Sequence, residues 1–274
     1  MKRLLAHLVG IVLASLGAFA GLVGVQLLRL RRVRFLPHHP GFYVDRVVEP
    51  AGSVRGPTAL RLLVFGDSTT AGVGVDSADD ALPTVVAGLM ADARQRPVHV
   101  TSYGWSGARI ADLVRDQLPR AMQPLRAGES EPVLPAADLI LVVIGANDAT
   151  NRTPTWRFRT SLRTLLAQIR HDAPAARVVL AGIPGFRGAL PHLEPLVFLT
   201  DRYAALLRRI QRHEAEAANV AFADLARHAG PRLRGRPAAL SVDFFHPSAY
   251  GYAVWGDVIA AAVEEPRRTE SPTP

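Results

Sequence analysis

The sequence predicts a three-layer α/β/α sandwich around a parallel sheet, and three observations carry that expectation. Short uninterrupted runs of Val, Leu and Ile recur between residues 61 and 222, as strands buried on both faces of a parallel sheet require. Segments with helical periodicity separate them, so strands and helices alternate. Four of the five runs stop at a glycine. Polar residues follow there, at the strand ends where ligands of such sheets sit.

Taken in order, the first element is apolar. Leu4 to Leu28 is a run of 25 residues without a formal charge, His7 apart. As a helix it spans about 37 Å, against a hydrocarbon core of about 30 Å. Lys2 and Arg3 precede it, and Arg29, Arg31, Arg32 and Arg34 follow it. Ala18-Phe19-Ala20 offers the small-x-small pattern of a cleaved signal peptide. The apolar run continues past Ala20 to the arginine cluster, however. Residues 1–34 are therefore expected to be a single-pass membrane anchor with a basic flank, and a secreted, cleaved form is the alternative. The flanking charges leave the side of the following domain open.

Pro37, Pro40, Pro50, Pro57, Gly41, Gly52 and Gly56 break any long element, so residues 35–57 are expected to be a linker. The folded domain is expected over 58–264, with a disordered tail over 265–274. Within the domain, strands are expected at 61–65, 98–103, 139–144, 177–181 and 220–222. Helices are expected at 80–93, 108–121, 155–171, 200–218 and 248–264.

Composition removes several classes of function. The 274 residues contain no cysteine, which excludes disulfides, thiol catalysis and thiolate metal sites. The net charge of +8 resides mostly in the N-terminal segment: residues 1–57 carry eight basic and two acidic side chains, residues 58–264 carry 22 and 20. A nucleic-acid partner calls for a basic surface on the folded domain, so none is expected.

Four clusters can carry chemistry. Gly66-Asp67-Ser68-Thr69 follows the first run. A serine on a strand-to-helix turn exposes its Oγ and its backbone N–H at the mouth of the sheet, although serine also caps helices. The Gly-x-Ser-x-Gly elbow, a dinucleotide glycine loop and a Walker lysine are all missing. Ser102-Tyr103-Gly104-Trp105-Ser106-Gly107 follows the second run, and glycine there lets a backbone N–H approach a ligand. Gly145-Ala146-Asn147-Asp148 follows the third, where the Asn147 amide either meets charge on a substrate oxygen or makes an Asx turn. Asp243-Phe244-Phe245-His246-Pro247 sets a carboxylate three residues before a histidine, which permits a turn that orients the ring. Pro247 disfavours helical geometry at His246.

In this order, at strand ends around one crevice, the four clusters resemble the SGNH/GDSL hydrolase (esterase/lipase) family over residues 60–262. The resemblance implies a flavodoxin-like sandwich and an acyl-enzyme formed on Ser68. It also implies His246 as base, Asp243 as its orienting partner, and an oxyanion hole of the Ser68 and Gly107 N–H groups and the Asn147 amide. Gly104 is the other candidate for the second-block glycine. No metal or other cofactor is implied, and the partner is an acyl ester of a lipid, a sugar or a small alcohol. Thr69 stands where the eponymous motif has leucine, and Tyr103 where many members have asparagine. An acyltransferase or O-deacetylase using the same residues is the first alternative. A metal-dependent phosphoesterase and a non-catalytic binding module are more remote. Residues 184–199 end apolar and suit an acyl-binding loop or a lead into a core helix. Trp156 and Phe158 are candidates to line the pocket. No motif lies before Arg61, so residues 1–34 are expected to be dispensable for hydrolysis of small esters.

Overall fold

The computed structural model describes residues 2–36, 44–52, 58–126 and 130–265. Six strands form one sheet in the order β1-β3-β2-β4-β5-β6: β1 Asp45–Val48, β2 Leu60–Gly66, β3 Val98–Ser102, β4 Leu139–Val143, β5 Arg177–Ala181 and β6 Ala221–Ala223. β2 pairs in parallel with both β3 and β4, and the parallel ladder continues through β5 to β6. The order of the five parallel strands is that of flavodoxin-like folds, which reverses direction once. The reversal falls between β2 and β4, so the loops that leave these two strands diverge and open a crevice.

Alternate residues of each strand feed two cores, as the pleat requires. Leu63, Phe65, Ile140 and Val142 pack under the helical segment 110–121 and the helices Thr155–Asp172 and Leu196–Ala217. Leu62, Val64, Leu139 and Leu141 pack under Leu82–Arg94 and Ala249–Glu264. Burial on both faces accounts for the unbroken apolar runs.

Three features differ from the sequence expectations. First, the expected linker contributes β1, an antiparallel edge strand on β3. It is held by Asp45, whose carboxylate accepts from Thr101 Oγ1 at 3.2 Å and lies 2.7 Å from His99 Nε2. Other expected linker positions, 37–43 and 53–57, lie outside the described residues, as does the tail after Glu265. Second, the segment 110–121 is not one regular helix, because Leu113–Gln117 forms a π-helical turn. Gln117 from that turn is fully buried. Its amide donates to the Gly66 carbonyl at 2.7 Å and accepts the Gly66 N–H at 3.0 Å, which pins the end of β2.

The third difference concerns the helix Lys2–Leu30. It is exposed along almost its whole length. Its last turns nevertheless pack on the domain. Gln26 is 2% exposed; it accepts the Leu196 N–H at 2.8 Å and donates to the Glu194 carbonyl. Leu30 and Val33 join the edge of one core. The end of the N-terminal segment thus touches the domain that carries the four clusters.

Candidate active site

Ser68 lies in the turn that follows β2. The turn closes through Thr70 and Ala71 N–H groups on the Asp67 carbonyl, each at 3.1 Å. Asp67 holds it from within, its Oδ1 accepting the Thr69 N–H and hydroxyl at 3.0 and 2.9 Å. His246 Nε2 is 3.0 Å from Ser68 Oγ, and His246 Nδ1 is 2.6 Å from Asp243 Oδ2. All three side chains are buried. Because Asp243 can only accept, Nδ1 carries the ring proton and Nε2 is left to accept from the serine hydroxyl.

Asp243 is the best-anchored group of the site. Its Oδ1 accepts from Ser241 Oγ and from the Phe245 and His246 N–H groups, each at 2.9 Å. Its Oδ2 also accepts the Leu36 N–H at 3.2 Å. Burial opposes its charge, but the hydrogen bonds from the His246 ring and the two backbone N–H groups outweigh that and hold its carboxyl well below the usual range. Phe245 packs edge-on against His246, with centroids 5.2 Å apart.

Ser68, Gly107, Asn147 and His246 line one cavity of about 390 Å³. Gly107 has φ +85°, which a residue with a side chain adopts only under strain, and open space lies where its Cβ would stand. Gly104 serves a different purpose: a Cβ there would meet Thr70 Oγ1 at 1.8 Å, so it allows the second loop to lie on the Ser68 turn. Among the described residues, neither the Ser68 nor the Gly107 N–H has a hydrogen-bond acceptor. Asn147 donates one amide hydrogen to the Ala108 carbonyl at 3.0 Å, which leaves the second for another acceptor.

Sequence reasoning missed three residues that hold these groups. Asp148 is fully buried, and its Oδ2 accepts the Ile110 N–H at 2.9 Å. With Asn147 it ties the loop carrying Gly107 to the end of β4, and burial raises its pKa. Gln211, also fully buried, accepts the Ile183 N–H and donates to the Ile144 carbonyl, each at 2.9 Å. It joins the ends of β4 and β5 as Gln117 secures β2. No local motif betrays such a glutamine; a polar residue at a core position of a helix is the one available signal. Of the two aromatic candidates, Trp156 stands 64% exposed and Phe158 is buried in the core, and neither lines the cavity.

Asp67 yields a pH prediction. Burial raises its pKa from 3.8 to about 6, against the hydrogen bonds from Thr69 and the charge of His246. The folded state therefore disfavours the carboxylate. That cost is absent below about pH 4, grows as pH rises from about 4 to about 6, and is complete above about 6. Asp67→Asn keeps the oxygen that Thr69 uses and cannot ionise. It is expected to raise Tm at pH 7.5 by the equivalent of up to ~3 kcal/mol, and by clearly less at pH 4.5. Thermal melts of both proteins at the two pH values check this, and an equal shift at both contradicts it.

An α/β/α sandwich with a buried serine, histidine and aspartate in one hydrogen-bonded chain at its strand-order reversal defines a class of fold and site. The family follows from comparison. Residues 64–254 match the model of the GDSL-like Lipase/Acylhydrolase family, and the chain belongs to that family. It is 26% identical over 215 residues to the GDSL-like esterase Rv1075c of Mycobacterium tuberculosis, an alignment covering 76% of this chain. The match spans 63% of that relative's length. The fold is similar to the lipase Lip_vut3 from a goat rumen metagenome (TM-score 0.60, 18% identity, 74% of this chain and 97% of that one). It is also similar to Axe2, an acetylxylan esterase from Geobacillus stearothermophilus (TM-score 0.55, 20% identity, 77% and 97%). A lipase/acylhydrolase from Enterococcus faecalis aligns with a TM-score of 0.56 at 24% identity, over 74% and 95%.

Proposed function

We propose that the protein hydrolyses carboxylic esters through an acyl-enzyme on Ser68. The observation that carries this reading is the chain from Asp243 through His246 to Ser68 Oγ, opening into a cavity that Gly107 and Asn147 also line. His246 takes the hydroxyl proton as Oγ attacks the ester carbonyl, and the resulting imidazolium is stabilised by Asp243. Charge on the tetrahedral oxygen is met by the N–H groups of Ser68 and Gly107 and by the second Asn147 amide hydrogen. The proton passes from His246 to the leaving alcohol. A water activated by the same histidine then releases the acid. Family membership supports acyl chemistry.

The test combines turnover with labelling. Purified protein should hydrolyse p-nitrophenyl acetate, and a fluorophosphonate should add one phosphonyl group, mapped to Ser68 by peptide mass. Absence of both would refute the reading.

The helix Lys2–Leu30 is long and apolar enough to cross a membrane. We read it as an uncleaved anchor that holds the enzyme at a bilayer. Intact mass of the native protein should then equal that of the full chain; a mature form starting near Gly21 would show a cleaved signal instead.

A further inference from the structure

The cavity beside Ser68 is not walled by the domain alone. Leu27 and Leu30, one turn apart on the last stretch of the N-terminal helix, and Phe35 and Leu36 just beyond it form one side. Residues from 186 to 197 line the cavity as well, with Leu190, Leu193 and Val197 among them. The Phe35 ring meets the Phe245 ring edge-on at 5.1 Å, and Phe245 is the residue that packs against His246. Leu36 reaches the site directly through its N–H on Asp243 Oδ2. Polar groups gather elsewhere on the lining, at Ser106, Thr150, Asn151 and Arg152.

The contact between helix and domain is built rather than incidental. An amide in an apolar helix is costly unless both its donor and its acceptor are used. Gln26 uses both, on the backbone of residues 194 and 196 in the segment that also lines the cavity. One side chain therefore latches the end of the helix to that segment. Apolar side chains also stand exposed close in sequence to residues of the site. Val242 and Phe244, on either side of Asp243, are 82% and 60% exposed, and Phe198, two residues past Leu196, is 45% exposed. Such exposed apolar side chains are favourable against lipid and unfavourable against water.

We propose that the membrane-proximal end of the N-terminal helix is a specificity-determining part of the site. With residues 186–197 it forms a cleft for a long acyl chain, and the substrate is an acyl ester drawn from the bilayer that the helix occupies. This rests on the reading of Ser68 as the acylated residue. The cavity is at the small end of the range for small-molecule sites, about 300–1,000 Å³, which suits a single chain. The ester carbonyl lies at Ser68, the acyl chain runs between Leu30 and Leu193, and the alcohol points to the polar side.

The experiment uses the full-length protein in detergent micelles, with p-nitrophenyl acetate and p-nitrophenyl decanoate. The two share a leaving group, so the ratio of their kcat/KM values reports the acyl site and divides out the fraction of active protein. Leu30→Trp and Leu27→Trp each fill the cleft from the helix side. Each is expected to lower the decanoate-to-acetate ratio at least tenfold. Gln26→Ala releases the latch and should lower it severalfold. Leu13→Trp, on the same helix far from the cleft, should leave it within twofold. If both cleft variants keep the parent ratio while the parent turns over ester and labels on Ser68, the helix has no part in acyl selection and the proposal falls alone. A parent that neither labels nor hydrolyses either ester overturns the esterase reading together with it.

Discussion

Ser68→Ala and His246→Ala are each expected to lower kcat for ester hydrolysis by about 10⁴-fold or more, and the double variant to be little worse than either. The non-additivity is the informative part. If Ser68 Oγ is the nucleophile and His246 Nε2, 3.0 Å away, removes its proton, then losing either ends the same step, and the second loss has nothing left to remove. The stability effects should differ. Ser68 Oγ bonds to His246, so alanine there forfeits about one hydrogen bond, ~1 kcal/mol. His246 packs on Phe245 and donates its Nδ1–H to Asp243 at 2.6 Å. Its removal leaves a buried carboxylate with its backbone and Ser241 donors only, so His246→Ala should melt measurably lower. Steady-state rates and melting temperatures of the three variants are sufficient. A Ser68→Ala protein with near-parental activity would remove the serine mechanism.

Asn147→Ala is expected to cost on the order of 10²–10³ in kcat with KM little changed. That is the range for one lost oxyanion donor, about 2.7–4 kcal/mol. The donor meets charge that exists only in the transition state, so ground-state binding hardly depends on it. A structural role would look different. Asn147 does hold the Ala108 carbonyl, but the helical turn around it closes through backbone bonds, Ala149 N–H to Gly145 and Asn151 N–H to Asn147. Alanine leaves these intact. Labelling of Ser68 by a fluorophosphonate should persist at a reduced rate, because the pair of Asp243 and His246 is undisturbed. Should Tm drop by many degrees while kcat stays within about threefold, Asn147 is a turn residue and the anionic oxygen is met elsewhere.

The parts of this molecule that were legible in its sequence are those where one local rule dominates. Burial on both faces forces continuous apolar runs, so β2 to β6 could be read to within a residue or two at each end. β1 could not, because Asp45–Val48 is four residues long and sits among prolines and glycines that speak for a linker. The strand exists because β3 offers an unpaired edge and Asp45 finds partners on it, facts of the assembled sheet. The same division runs through the site. Ser68, Asn147, Asp243 and His246 stand in recognisable local contexts, whereas Asp148, Gln117 and Gln211 matter for whom they meet across the fold. The helix end was the largest omission. An apolar run of membrane length accounts fully for its own composition, and nothing in it announces that Leu27 and Leu30 face the same cavity as Ser68, or that Gln26 has a purpose.

The glutamines beneath the strand ends have a consequence for how the protein meets acid. Each spans a donor and an acceptor with one neutral amide, which a carboxylate or an imidazole would do in only one protonation state. Gln117 at Gly66 and Gln211 between Ile144 and Ile183 therefore keep their bonds at any pH the backbone tolerates. The ends of β2, β4 and β5 therefore stay put as the pH falls. Mild acid should thus leave the scaffold beneath the site in place. Returning a mildly acidified sample to neutral pH should restore full activity within the time of mixing, with no slow recovery phase.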